Sequence, residues 1–120
     1  MSKKILVIDD ESDVRIFLTT LLKKHGFTTV VAENGVEGLA MAKQQKPDLV
    51  TLDLMMPNQS GTDFYRKLLK DKELCDTPII VVSGTAGRHL AVKDPVAVFD
   101  KPINPDQFIE AVKLALGIES

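Results

Sequence analysis

Three acidic residues, a hydroxyl and an ammonium group each fall where a run of apolar residues ends. Ile5-Leu6-Val7-Ile8 leads into Asp9-Asp10, and Leu49-Val50-Thr51-Leu52 leads into Asp53. Ile79-Ile80-Val81-Val82 leads into Ser83, and Val96-Ala97-Val98-Phe99 stops just short of Lys101. Clustered carboxylates repel one another, so either one holds a proton or a cation sits among them. Hard oxygen donors without a neighbouring His or Cys suit Mg²⁺, which keeps several waters and takes one or two carboxylates plus phosphate oxygens. Lys101 offers a point charge and Ser83 a hydroxyl, both matched to the oxygens of a phosphoryl group in transfer. The predicted chemistry is attack by one carboxylate on phosphorus to give an acyl phosphate.

That chemistry requires the five positions to meet. Short apolar runs rich in β-branched residues, separated by helical segments, read as strands of a parallel sheet buried on both faces. In such a sheet all carboxyl ends share one edge, and ligands bind there. Val14, Phe17, Leu18, Leu21 and Leu22 have the spacing of an amphipathic helix stopped by Gly26. Residues 28–32 read as a second strand, and Asn34-Gly35 as the turn into a second helix that ends before Pro47. A loop with Pro57 and Gly61 leads to a helix carrying Phe64, Leu68 and Leu69. The last helix has Pro105 in its first turn and carries Phe108, Val112, Ala115 and Leu116. The stretch from Gly84 to Pro95 has no convincing helical period. The expected fold is α/β: a flavodoxin-like, doubly wound, five-stranded parallel sheet, (βα)5, whose fourth helix is shortened or absent. With the first strand near the centre, Asp9-Asp10 lie beside Asp53 at the switch point.

The sequence resembles the receiver domains of two-component response regulators. The motifs that carry the resemblance are Val7-Ile8-Asp9-Asp10-Glu11, Asp53-Leu54-Met55-Met56-Pro57 with Gly61, Val82-Ser83-Gly84 and Lys101-Pro102-Ile103. Asn34-Gly35-Val36-Glu37-Gly38-Leu39 is similar to the family's second-helix opening. Together these cover essentially residues 1–120 as a single receiver domain. The resemblance implies that Asp53 is the phosphoacceptor, assisted by Ser83 and Lys101. It implies that Asp10, Asp53 and the backbone carbonyl of Met55 ligate Mg²⁺, with Asp9 acting through water. It also implies a histidine kinase or histidine phosphotransfer protein as the donor. The resemblance is loosest between Ser83 and Lys101, which is about one helical turn shorter than the family leads one to expect. Val98 stands where the family often has a switching aromatic, and the adjacent Phe99 should face the other side of its strand.

Simpler roles exist for each residue. Asp9 and Asp10 could cap the first helix together with Ser12, although two adjacent acids exceed what a cap needs. Glu11 and Asp13 read as first-turn acids favoured by the helix dipole. A lone Asp53 would be a turn residue, and lone Ser83 and Lys101 would be an ordinary strand-end hydroxyl and a surface lysine. Their register with one another sets them apart. His25 and His89 have no partnering acid or nucleophile.

A chain of 120 residues with 44% hydrophobic content is expected to form one domain. A net charge of −2 offers no basic stripe for nucleic acid. The lone Cys75 excludes an internal disulfide and fits a reducing compartment. No apolar stretch reaches membrane-spanning length, so the expectation is a cytoplasmic protein. The competing readings are a haloacid-dehalogenase-like phosphatase, a flavin binder and a receiver-like binding module that is never phosphorylated. The first wants a general acid where this chain has Met55. The second wants a Gly/Ser/Thr-rich phosphate loop where Asp9-Asp10-Glu11 stand. The complete set of five residues opposes the third.

Overall fold

The computed structural model describes residues 3–54, 56, 60–83, 97–100 and 102–118. Five strands are present: β1 (Lys4–Ile8), β2 (Thr28–Ala32), β3 (Leu49–Leu52), β4 (Ile79–Ser83) and β5 (Ala97–Asp100). Four helices occur among the described residues: α1 (Ser12–Lys24), α2 (Gly35–Gln45), α3 (Ser60–Lys70) and α4 (Pro105–Ala115). The expectation of a shortened or absent helix between β4 and β5 falls on 84–96, outside the described residues.

All strand pairs are parallel, in the order β2-β1-β3-β4-β5. The chain steps from β1 outward to β2 and then returns to the other side of β1 with β3, so the winding reverses there. Ligand crevices open where the winding direction reverses. The register pairs Ile8 with Leu52 and Val81 with Val98, which aligns the carboxyl ends of the strands along one edge.

Alternation along the strands splits the core in two. Leu6, Ile8, Val50, Leu52, Ile79 and Val81 pack against Ala42 of α2 and against Phe64 and Leu68 of α3. Ile5, Val7, Leu49, Ile80 and Val82 pack on the other face against Leu18 and Leu22 of α1 and Phe108, Ile109 and Val112 of α4. Phe99 belongs to this second face and meets Phe108 edge-on, with ring centroids 5.8 Å apart. Val98 faces the opposite way, as the alternation predicts.

Helix ends follow local chemistry. Gly26, at φ 89°, ends the turn after α1 in a conformation that a side chain would strain. Asn34 caps α2 by accepting from the Glu37 N–H, while the Glu37 carboxylate accepts from the Glu33 N–H. Asn104 caps α4 through the Gln107 N–H, with Pro105 in the first turn. Two residues expected on the core stripes are exposed. Phe17 is 40% exposed and lines a groove with Val14, Pro102 and Ile103, and Leu69 is 48% exposed on α3. In each case the sheet meets the neighbouring helix position instead: Leu18 is 1% exposed and Leu68 is 1% exposed.

Candidate phosphoryl-acceptor site

β1 delivers Asp9 and Asp10 to the edge of the sheet, and β3 delivers Asp53 beside them. The last rungs of the sheet fix this approach. The Asp53 N–H donates to the Ile8 carbonyl at 3.0 Å, and the Asp9 N–H donates to the Ala32 carbonyl at 3.2 Å. One carboxylate oxygen from each of Asp9, Asp10, Glu11 and Asp53 lies within 4.8 Å of the others. Asp9 is 1% exposed and Asp53 2%, whereas Asp10 and Glu11 are exposed.

The simpler alternative, that Asp9 and Asp10 cap the first helix, does not hold. Glu11 occupies the cap position of α1 and makes no side-chain cap hydrogen bond. Asp9 Oδ1 instead accepts from the Glu11 N–H at 2.9 Å, two residues on, which is a turn contact. Asp9 therefore shapes the turn before the helix and keeps its carboxylate toward Asp53.

Gly61 explains how α3 can begin so close to the site. A Cβ at this position would lie 2.5 Å from the Asp53 carbonyl oxygen and 3.0 Å from the Leu54 Cα. Both are backbone atoms, so the approach of α3 to the chain just after Asp53 requires glycine. On the other side, Asp10 borders a groove of ≈ 820 Å³ between α2 and α3, with Asn34, Val36, Met56 and Phe64 among its walls. The exposed edge of the acid cluster is thus open to a reactant.

Gathering four carboxylates at this spacing is costly without a counter-charge. Among the described residues the donors are all hard oxygens, with no nitrogen or sulfur ligand in the cluster. That set suits Mg²⁺ and not zinc or copper. Asp9, Asp10 and Asp53 are brought together as the sequence predicts. Met55, Lys101 and the Ser83 hydroxyl lie outside the described residues, although the Ser83 backbone pairs with Asp100 at the same sheet edge. Two participants escape the sequence reading. Glu11 joins the acid cluster and is more than a first-turn acid, and Arg15 donates to the Asp9 carbonyl oxygen at 2.7 Å. The available signal was the position of Arg15 one turn into α1, because long helical side chains lean toward the helix N-terminus.

Comparison with known proteins agrees with this geometry. The sequence model of the response regulator receiver domain matches residues 5–113. The protein PilH of Pseudomonas aeruginosa is 42% identical over 121 residues, covering 95% of this chain and 98% of PilH. Sporulation initiation phosphotransferase F of Bacillus subtilis is 34% identical, covering 100% of this chain and 98% of that protein. The crystallised chemotaxis protein CheY4 of Vibrio cholerae superposes with a TM-score of 0.87 over 97% of this chain and 100% of its own. At 24% identity that likeness speaks for the fold alone. The chain belongs to the response regulator receiver family, the phosphorelay switches of two-component signal transduction.

Proposed function

We propose that Asp53 is the phosphoacceptor and that Asp10, Asp53 and the Met55 carbonyl hold Mg²⁺, with Asp9 bound through water. The observation that carries this reading is the meeting of Asp9 and Asp10 from β1 with a buried Asp53 from β3, their oxygens within 4.8 Å. When bound, the cation supplies the charge that lets these carboxylates stay ionised and holds phosphoryl oxygens beside them. The chain's own part is positional. The N–H bond of Asp53 to the Ile8 carbonyl fixes its backbone at the sheet edge, from which its carboxylate attacks the incoming phosphorus. As the new P–O bond forms, the P–N bond of a donor phosphohistidine breaks, and its electron pair returns to the imidazole. Ser83 and Lys101 stabilise the phosphoryl oxygens.

The donor in this reading is a histidine kinase or a histidine phosphotransfer protein, and a partner responds to the phosphorylated form. The whole of 1–120 acts as one receiver domain and catalyses only its own phosphorylation and dephosphorylation. A cytoplasmic location fits the reading: among the described residues no helix is long and apolar enough to cross a membrane. The net charge of −2 supports partners other than nucleic acid.

Incubation with acetyl phosphate and Mg²⁺ tests the assignment. One phosphoryl group should be added, visible by intact mass, and Asp53→Asn should take none. Equal labelling of that variant would sink the assignment.

A further inference from the structure

The turn that bears Asp9 and Asp10 is tied down by a side chain outside the acid cluster. Arg15 reaches back over the N-terminus of α1, and its Nη1 donates to the Asp9 carbonyl oxygen at 2.7 Å. Its Nη2 pairs with Glu33 Oε1 at 3.3 Å. The Arg15 side chain is only 15% exposed, against 65% for Glu33. Glu33 directly follows β2, and its N–H donates to Glu37 Oε1 in the first turn of α2. One guanidinium therefore joins the acid-bearing β1–α1 turn to the β2–α2 turn, on the side of the cluster away from β3.

We propose that Arg15 is a positioning residue for phosphoryl transfer: by bridging the Asp9 carbonyl and Glu33 it holds the β1–α1 turn so that Asp9 and Asp10 face Asp53 in the geometry the transfer requires. This rests on the acceptor role proposed for Asp53. An arginine fits the task because its planar fork serves two acceptors at a fixed angle. A lysine ammonium on this stem is a point charge without that fork.

Charge and position predict different outcomes, which makes the proposal decidable. Arg15 is a cation beside an acidic site, and removing it also frees the negative charge of Glu33. If Arg15 acted by charge alone, Arg15→Ala would strengthen attraction for Mg²⁺ and weaken it for the anionic donor, and Arg15→Lys, which keeps the charge, would restore the wild-type rate. If it positions the turn, transfer slows even when Mg²⁺ saturates. With acetyl phosphate as donor, an Asp53 oxygen bonds to phosphorus as the bond from phosphorus to the acetate oxygen breaks, and acetate leaves with the electron pair. Arg15 acts on this step only through the turn.

The experiment follows labelling of the full chain by acetyl phosphate across a Mg²⁺ series, with intact mass as readout. Arg15→Ala should lower the rate at saturating Mg²⁺ by roughly tenfold or more, with a half-saturating Mg²⁺ concentration no higher than wild type. Arg15→Lys should recover only part of the rate. Glu33→Ala should slow transfer by less than Arg15→Ala, and the double variant should lose less than the two single losses combined. A wild-type rate at saturating Mg²⁺ in Arg15→Ala, or full recovery by lysine, overturns the proposal. Should Arg15→Ala fail to fold by circular dichroism, wild-type rates in both Arg15→Lys and Glu33→Ala overturn it equally. A wild-type chain that takes no label defeats the acceptor assignment and this proposal with it. A labelled wild type with unaffected variants defeats this proposal alone.

Discussion

Asp10 and Asp53 share one cluster but stand in different surroundings. Asp53 is nearly buried, directly follows β3, and is held by its N–H bond to the Ile8 carbonyl of β1. Asp10 is exposed at the mouth of the groove between α2 and α3. Replacing Asp10 should therefore leave the fold intact while removing a proposed ligand from a site with few protein donors. Asp10→Asn should weaken Mg²⁺ binding by at least the roughly 10-fold typical of losing even an outer-sphere partner. Calorimetric titration measures this, and an unchanged affinity would contradict the metal role. The acids were legible in the sequence because each ends an apolar run, and a polar residue there has nowhere to go but the sheet edge. Glu11 and Arg15 were less legible. Their parts depend on how the turn folds back on itself, and strand patterning carries no information about that.

At the scale of elements, β1, β3 and β4 could be read closely because burial on both faces demands continuous apolar residues, whereas the edge strand β2 exposes Thr28 and Val31. The helices were read less well. Helical spacing names a stripe of candidates, but only the curvature of the sheet decides which edge of the stripe is covered. Phe17 and Leu69 sit on the uncovered edge, beside Leu18 and Leu68 on the covered one. The junction of α3 with β3 gives a sharper test. Gly61→Ala gains helix propensity, worth roughly 0.5–1 kcal/mol. It also forces a Cβ to 2.5 Å from the Asp53 carbonyl oxygen, and overpacking against backbone costs about 1–3 kcal/mol. The clash wins. The variant should unfold at lower urea concentration than wild type, and its labelling by acetyl phosphate should slow because the strain is relieved by moving Asp53. Unchanged stability would mean that α3 can shift freely without disturbing the site.

Across the whole molecule, the site belongs to no single stretch of chain. Asp9 and Asp10 meet Asp53 only because β1 and β3 lie side by side, joined from Ile5 with Leu49 to Ile8 with Leu52. A cation bound there favours the native state over any unfolded one. With Mg²⁺ at 100 times its dissociation constant, stability should rise by about 2.7 kcal/mol. Urea titrations with and without Mg²⁺ measure the gain, and Asp10→Asn should shrink it. An equal gain in that variant would place the cation elsewhere.

The adjacency of β1 and β3 also governs when a newly made copy can first take part in signalling. While β3 is still being synthesised, Asp9 and Asp10 have no Asp53 beside them. A chain that stops before β3, or one in which β1 and β3 fail to pair, lacks the assembled cluster. Under the acceptor role proposed for Asp53, such a copy takes no phosphoryl group on that residue. Under that proposal, competence to be phosphorylated reports that β1 and β3 have paired.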